Sequence, residues 1–315
     1  MRTIEKNISI IMIFVLITGL GCKKSSTPPE DEDNFTDLSG EYLGQELPGM
    51  AVERFAPESL LSSSAWWWHG APVFSPDGRE LYFDKYIVGG PRVEIHYMKL
   101  QNGRWTFPQR VPFYSSDGDK NARFSNDGNR LFFKSSRSGG GIFYVDRTGN
   151  AWSTPQNLNI PIPSSLRLGW QFSMAEDQTL YFELWDDNDP DIYCSVLVNG
   201  QYEYPENLGE RINSPYNEFA PYIDPKEGYL IFTSNRPGGH GMHDLYISFK
   251  TQENSWSDAI NMGSTINSYN EDSQPLISPD GNCFFFVSVR PGVQAYNPYW
   301  IDAQIIEDLR PAELK

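Results

Sequence analysis

The chain has 315 residues, of which 41 are acidic and 25 basic, for a formal net charge of -16. That balance, with no long Lys/Arg cluster, excludes the usual nucleic-acid binder and disfavours an anionic lipid surface, since both demand positive charge. Three cysteines in all leave no room for a disulfide framework.

The N-terminus carries Arg2 and Lys6, then the apolar run Ile8 to Leu20, then Gly21 and Cys22, the layout of a secretory signal. The run is shorter than the roughly 20 apolar residues that a spanning helix needs. A small residue before a cysteine at the end of such a run resembles the lipobox of bacterial lipoproteins, and the resemblance implies lipidation at Cys22, with plain secretion as the alternative. Residues 1–21 are therefore expected to be a signal peptide. Residues 22–39, polar and including Pro28, Pro29 and the acidic run Glu30 to Asp33, are expected to be a flexible tether, because they hold too little apolar surface to fold. Membrane contact is expected through the N-terminal lipid alone, on the periplasmic side or at the cell surface.

Residues 40–315 carry an internal repeat. Phe74-Ser75-Pro76-Asp77-Gly78, Phe124-Ser125-Asn126-Asp127-Gly128, Phe172-Ser173-Met174, Ile223-Asp224-Pro225 and Ile277-Ser278-Pro279-Asp280-Gly281 recur at steps of about 50 residues. Pro presets φ, Asp bonds to nearby backbone and Gly accepts positive φ, so Ser-Pro-Asp-Gly predicts a tight hairpin turn. An apolar triplet follows each turn, such as Leu81-Tyr82-Phe83 or Phe284-Phe285-Phe286, and a strand of that kind must be buried on both faces. Sheets packed around an axis bury their middle strands in this way, whereas a two-layer sandwich would show alternation. An aromatic and a proline, as in Trp105 to Pro108 and Trp152 to Pro155, announce a short outer strand. The last unit lacks one, while Ala51 to Pro57 has the character of one. The expected fold is all-β: a β-propeller with five blades of four antiparallel strands, the N-terminal strand closing the last blade.

These motifs, with Thr233-Ser234-Asn235-Arg236-Pro237-Gly238-Gly239 and the Asp-hydrophobic-Tyr triplets at Asp191 and Asp244, resemble the WD40-like PD40 repeats of TolB-type bacterial propellers. The resemblance implies the fold and leaves activity open, because propellers host binding and catalysis alike.

Counting back from the repeated turns gives His69, Asp119, Arg167, Glu218 and Glu271 or Asp272, expected to ring one mouth as a ligand-binding rim. With four acids among the six, a polar or cationic ligand is expected over an anionic one. His240 and His243 share a glycine-rich loop, and the loop Asp186 to Asp191 alternates oxygen donors, but neither completes a ligand pattern, so no metal and no cofactor is expected. Arg137, Arg236 and Arg290 recur at one position after the second strand and are expected to bond carbonyls or the Asp of a neighbouring hairpin structurally. Trp66, Trp67 and Trp68 are expected either to fill the closure seam or to offer a ring to a partner. The expected function is a non-catalytic envelope module that binds a protein or glycan. The alternative is a carbohydrate-active enzyme, for which Glu218 and Glu271 are the pair of carboxylates to nominate.

Overall fold

A computed structural model describes residues 38–61, 66–88, 93–186, 189–291 and 296–315. Cys22, the signal and nearly all of the tether lie outside the described residues, as do Asp187 and Asn188.

The repeat folds as five antiparallel blades around one axis. The inner strands are Trp66–Phe74, Asp119–Phe124, Arg167–Met174, Glu218–Ile223 and Asp272–Ile277. The second strands, Glu80–Ile87, Arg130–Ser135, Leu180–Trp185, Tyr229–Ser234 and Cys283–Ser288, carry the apolar triplets and are buried almost throughout. Third strands run Val93–Gln101, Gly141–Thr148, Pro190–Ser195, Asp244–Phe249 and Asn297–Asp302. Short outer strands finish four blades at Gln109–Arg110, Gln156–Asn157, Glu206–Asn207 and Ile260–Asn261. Each follows the aromatic residue that announces it. In the first two blades the aromatics Trp105 and Trp152 themselves end a small extension of the third strand.

The fifth blade takes its outer strand from the N-terminal segment. Glu53 faces Trp300 and Arg54 faces Tyr299 across an antiparallel pair, and the amide of Phe55 donates to the carbonyl of Pro298 at 2.9 Å. Phe55 is fully buried, edge-on to Trp300, Phe285 and Trp68. Ladder bonds and aromatic packing thus fasten the two ends of the ring. The three tryptophans divide accordingly. Trp68 fills the seam and stacks on Phe83 at 4.2 Å, Trp67 stacks on Tyr86 and Trp66 lies under the Lys85 ammonium.

The turns behave as their chemistry requires. Gly78, Gly128 and Gly281 have φ of 68°, 69° and 78°, and the Gly78 amide donates to the Ser75 carbonyl at 2.8 Å. In the third blade the turn is Ala175 to Gln178, beyond the Phe172-Ser173-Met174 segment, and Gln178 takes the positive φ; Glu227 does so in the fourth.

Every inner strand is interrupted by a bulge. In the second, fourth and fifth blades four residues face three, as Lys120 to Arg123 face Phe132 to Lys134. The first and third blades hold one more, as His69 to Val73 face Tyr82 to Asp84. Positive φ at Gly70, Asn121, Ala220 and Gln274 marks the bend in four of the blades.

Candidate functional site

The bulges turn backbone amides out of the ladder, and such buried donors need acceptors. Two buried carboxylates on second strands supply them. Asp84 accepts the Asn121 amide of the next blade at 2.9 Å. Glu183 accepts the Trp170 amide on one oxygen and, at 2.7 Å, the Ala220 amide of the next blade on the other. Glycine at 169 is what admits Glu183, since a Cβ there would sit 2.1 Å from its Cγ. Asn121 adds a side-chain bond to the Trp170 carbonyl, tying the second blade to the third. Burial raises the carboxyls of both acids, that of Asp84 to about 7.

At the same level lies a cavity of about 630 Å³ on the propeller axis. Its wall is aromatic at Tyr86, Trp170, Trp185, Phe219 and Tyr296, and charged at Asp84, Lys120, Lys134 and Glu183. Trp170 is 56% exposed, and the Lys120 nitrogen stands 3.1 Å over its ring centre. Burial lowers Lys120 and Lys134 to about 8 each. His69, lowered to about 4 by burial and then by Lys120, is a neutral ring at physiological pH. Glu271 accepts the Tyr296 hydroxyl at 2.7 Å, with His243 Nδ1 3.8 Å away. No group of three or more His, Cys, Asp or Glu side chains among the described residues could hold a metal ion.

The six residues expected at the rim fall in two places. His69, Asp119 and Glu271 line the cavity, while Arg167, Glu218 and Asp272 do not. Asp119, Glu218 and Asp272 are fully buried and belong to one recurring latch. Asp119 pairs with Arg137 at 2.7 Å and accepts the Ser115 amide; Arg137 also donates to the Phe113 carbonyl. Glu218 accepts from the Ser214 amide and hydroxyl, the Ser234 hydroxyl and Arg236, whose guanidinium reaches the Ile212 carbonyl. The fifth-blade copy is looser, with Arg290 4.0 Å from Asp272. The three arginines thus do the structural work that their recurrence implies. Asp119 and Glu218 are neutralised by their arginines, so two of the four acids no longer favour a cationic ligand.

Arg167 is exposed at the start of its strand. The turn used to place it starts later than the repeat implies, so counting back overshoots the inner strand's cavity-facing segment. Sequence reasoning missed Lys120 and Trp170 on the inner strands; on the second strands it missed Asp84, Lys134 and Glu183. Each of the latter occupies the first position after the apolar triplet, where a charge in a strand otherwise buried on both faces is the signal that could have found them.

No family model matches this sequence. No curated protein matches it either. Solved structures resemble it in fold. It is similar to putative TolB from Agrobacterium tumefaciens at 19% identity, over 74% of this chain and 76% of that one, with a TM-score of 0.51. TolB from Acinetobacter baumannii aligns at 15% identity over 76% of this chain and half of its own, with a TM-score of 0.43. An endo-arabinase from Bacteroides thetaiotaomicron aligns at 13% identity over 76% of this chain and 94% of its own, with a TM-score of 0.47. The fold is thus the five-bladed propeller, with neighbours among TolB-type proteins.

Proposed function

We propose that this chain is a non-catalytic β-propeller binding module, anchored in the bacterial cell envelope by lipid on Cys22, that holds a glycan in its axial cavity. The observation that carries the reading is the aromatic wall: an exposed Trp170 with Tyr86, Trp185 and Tyr296 around one concave site. Ring faces stack on the C–H faces of sugars, and interspersed charged and amide groups bond their hydroxyls.

The carboxylates favour binding over hydrolysis. A glycosidase needs two free carboxyls, one to protonate the leaving oxygen and one to attack carbon or activate a water. Glu218 already accepts four bonds, and both Glu183 oxygens are taken by backbone amides.

A glycan array probed with wild type and Trp170→Ala tests the site. Loss of the ring should weaken any hit by roughly tenfold or more, the scale of an aromatic anchor at a binding hot spot. Hits that survive Trp170→Ala, or product release from a bound glycan, would overturn the reading. For the anchor, a fatty-acid analogue should label wild type and spare Cys22→Ser.

A further inference from the structure

Lys120 and Lys134 face one another across the first two strands of the second blade, so their side chains share one face, and both line the axial cavity. Like charges directly opposite on a sheet repel, and burying an ammonium without an acceptor costs more still. Among the described residues neither ammonium has a hydrogen bond or an ion pair; Lys120 has only the Trp170 ring.

The nearest acids soften the field without supplying acceptors. Asp84 acts on Lys120, and Glu183 on both lysines, at a distance. Their oxygens are engaged by the amides of Asn121, Trp170 and Ala220. Each ammonium carries three donors, so the second blade presents a cluster of charged N–H groups to an open cavity with no acceptor beside it. A fold that keeps such a pair gains from it when a ligand brings the missing acceptor.

We propose that Lys120 and Lys134 form a subsite for the carboxylate of an acidic sugar. The inference rests on the glycan reading above and names the class of sugar. Two points set the chemistry. Asp84, Asp117, Glu183 and Glu271 also line the cavity, so a monoanion is tolerated better than a phosphate dianion. Trp170 lies directly under Lys120, which places a flat ring face next to the charge and matches a pyranose bearing its carboxylate at the edge.

The test is calorimetric titration of the detergent-solubilised full chain with three probes: methyl glucuronide, methyl glucoside and acetate. Wild type should prefer glucuronide over glucoside by roughly tenfold or more, the scale of a charge-assisted bond. Lys134→Gln should lose that preference, and Lys134→Arg, which keeps the charge, should retain most of it. Thermal melts of both variants establish that they fold. Equal affinity of wild type for the two sugars would overturn the lysine subsite while leaving the glycan cavity standing. Binding of neither sugar would overturn both readings. Acetate held as tightly as glucuronide would overturn the sugar as the source of the carboxylate.

Discussion

Asp119 and Lys120 are neighbours in the chain and belong to opposite regimes. Asp119 is fully buried and bonded to Arg137 and the Ser115 amide. Lys120, one step along the same strand, projects into the cavity with only a ring beneath it. Alternation along a strand sends successive side chains to opposite faces, so one residue separates a group whose bonding is complete from one whose bonding is left open. The comparison extends around the ring. Glu218 repeats the closed position and Asp272 a looser copy of it, with one buried oxygen left without a hydrogen bond; Phe219 and Ser273 repeat the open one and line the cavity. Polar atoms satisfied within the protein hold blades together, and polar atoms left over mark where a ligand belongs.

The largest effect should come from breaking a closed position. Arg236→Ala leaves the Glu218 carboxylate buried without its cation, at a cost of about 3–5 kcal/mol in denaturant unfolding. Arg290→Ala should cost distinctly less, because its pair spans 4.0 Å. Equal losses would show that the latches do not depend on contact. Next in size, Gly169→Ala drives a methyl into Glu183, and overpacking of that kind costs about 1–3 kcal/mol. A neutral result would mean that Glu183 is not needed between the third and fourth blades.

Changes at the open position should leave stability almost untouched. Lys134→Gln removes one of two opposed charges and should shift unfolding by no more than about 0.5 kcal/mol, or raise stability. A loss of several kcal/mol would move Lys134 into the structural class. The pH dependence of glucuronide binding sharpens the same point. Burial holds both lysines near 8, against Asp84 and Glu183, which raise Lys120, and Glu183, which raises Lys134. Only the protonated lysines attract a carboxylate, and Asp84, raised to about 7 by burial, adds a repelling charge as it ionises, so affinity should be highest below pH 7 and fall as pH rises through 7 and 8. Affinity that holds to pH 10 would remove the lysines from the site.

Much of the fold is legible in the sequence because each turn and triplet has a local cause. Ser75-Pro76-Asp77-Gly78 makes its turn from its own side chains, with Ser75 bonded to Asp77 at 2.6 Å. The triplets are buried wherever they occur, and the missing fourth strand of the last blade points to its replacement at Glu53 and Arg54. The site is less legible because a bulge lies between the turn and the mouth. An extra residue there reverses which side chain faces the axis, and nothing in the local sequence gives its length. Counting the same distance in every blade reaches the open position at His69, where the bulge is longer, and the closed position at Asp119, Glu218 and Asp272, where it is shorter. The blades with the longer bulge are also those without a latch: Trp68 and Leu168 stand where the others have acids. The latches themselves were half visible, in the recurrence of three arginines, but their acids look in sequence like any polar loop end.

The most direct test of the account is a crystal structure of the protein soaked with methyl glucuronide. The account predicts the sugar ring in the axial cavity against Trp170, with its carboxylate within hydrogen-bond reach of Lys120 and Lys134. A sugar bound instead at the outer strands, or in the cavity with its carboxylate turned away from both lysines, would contradict it.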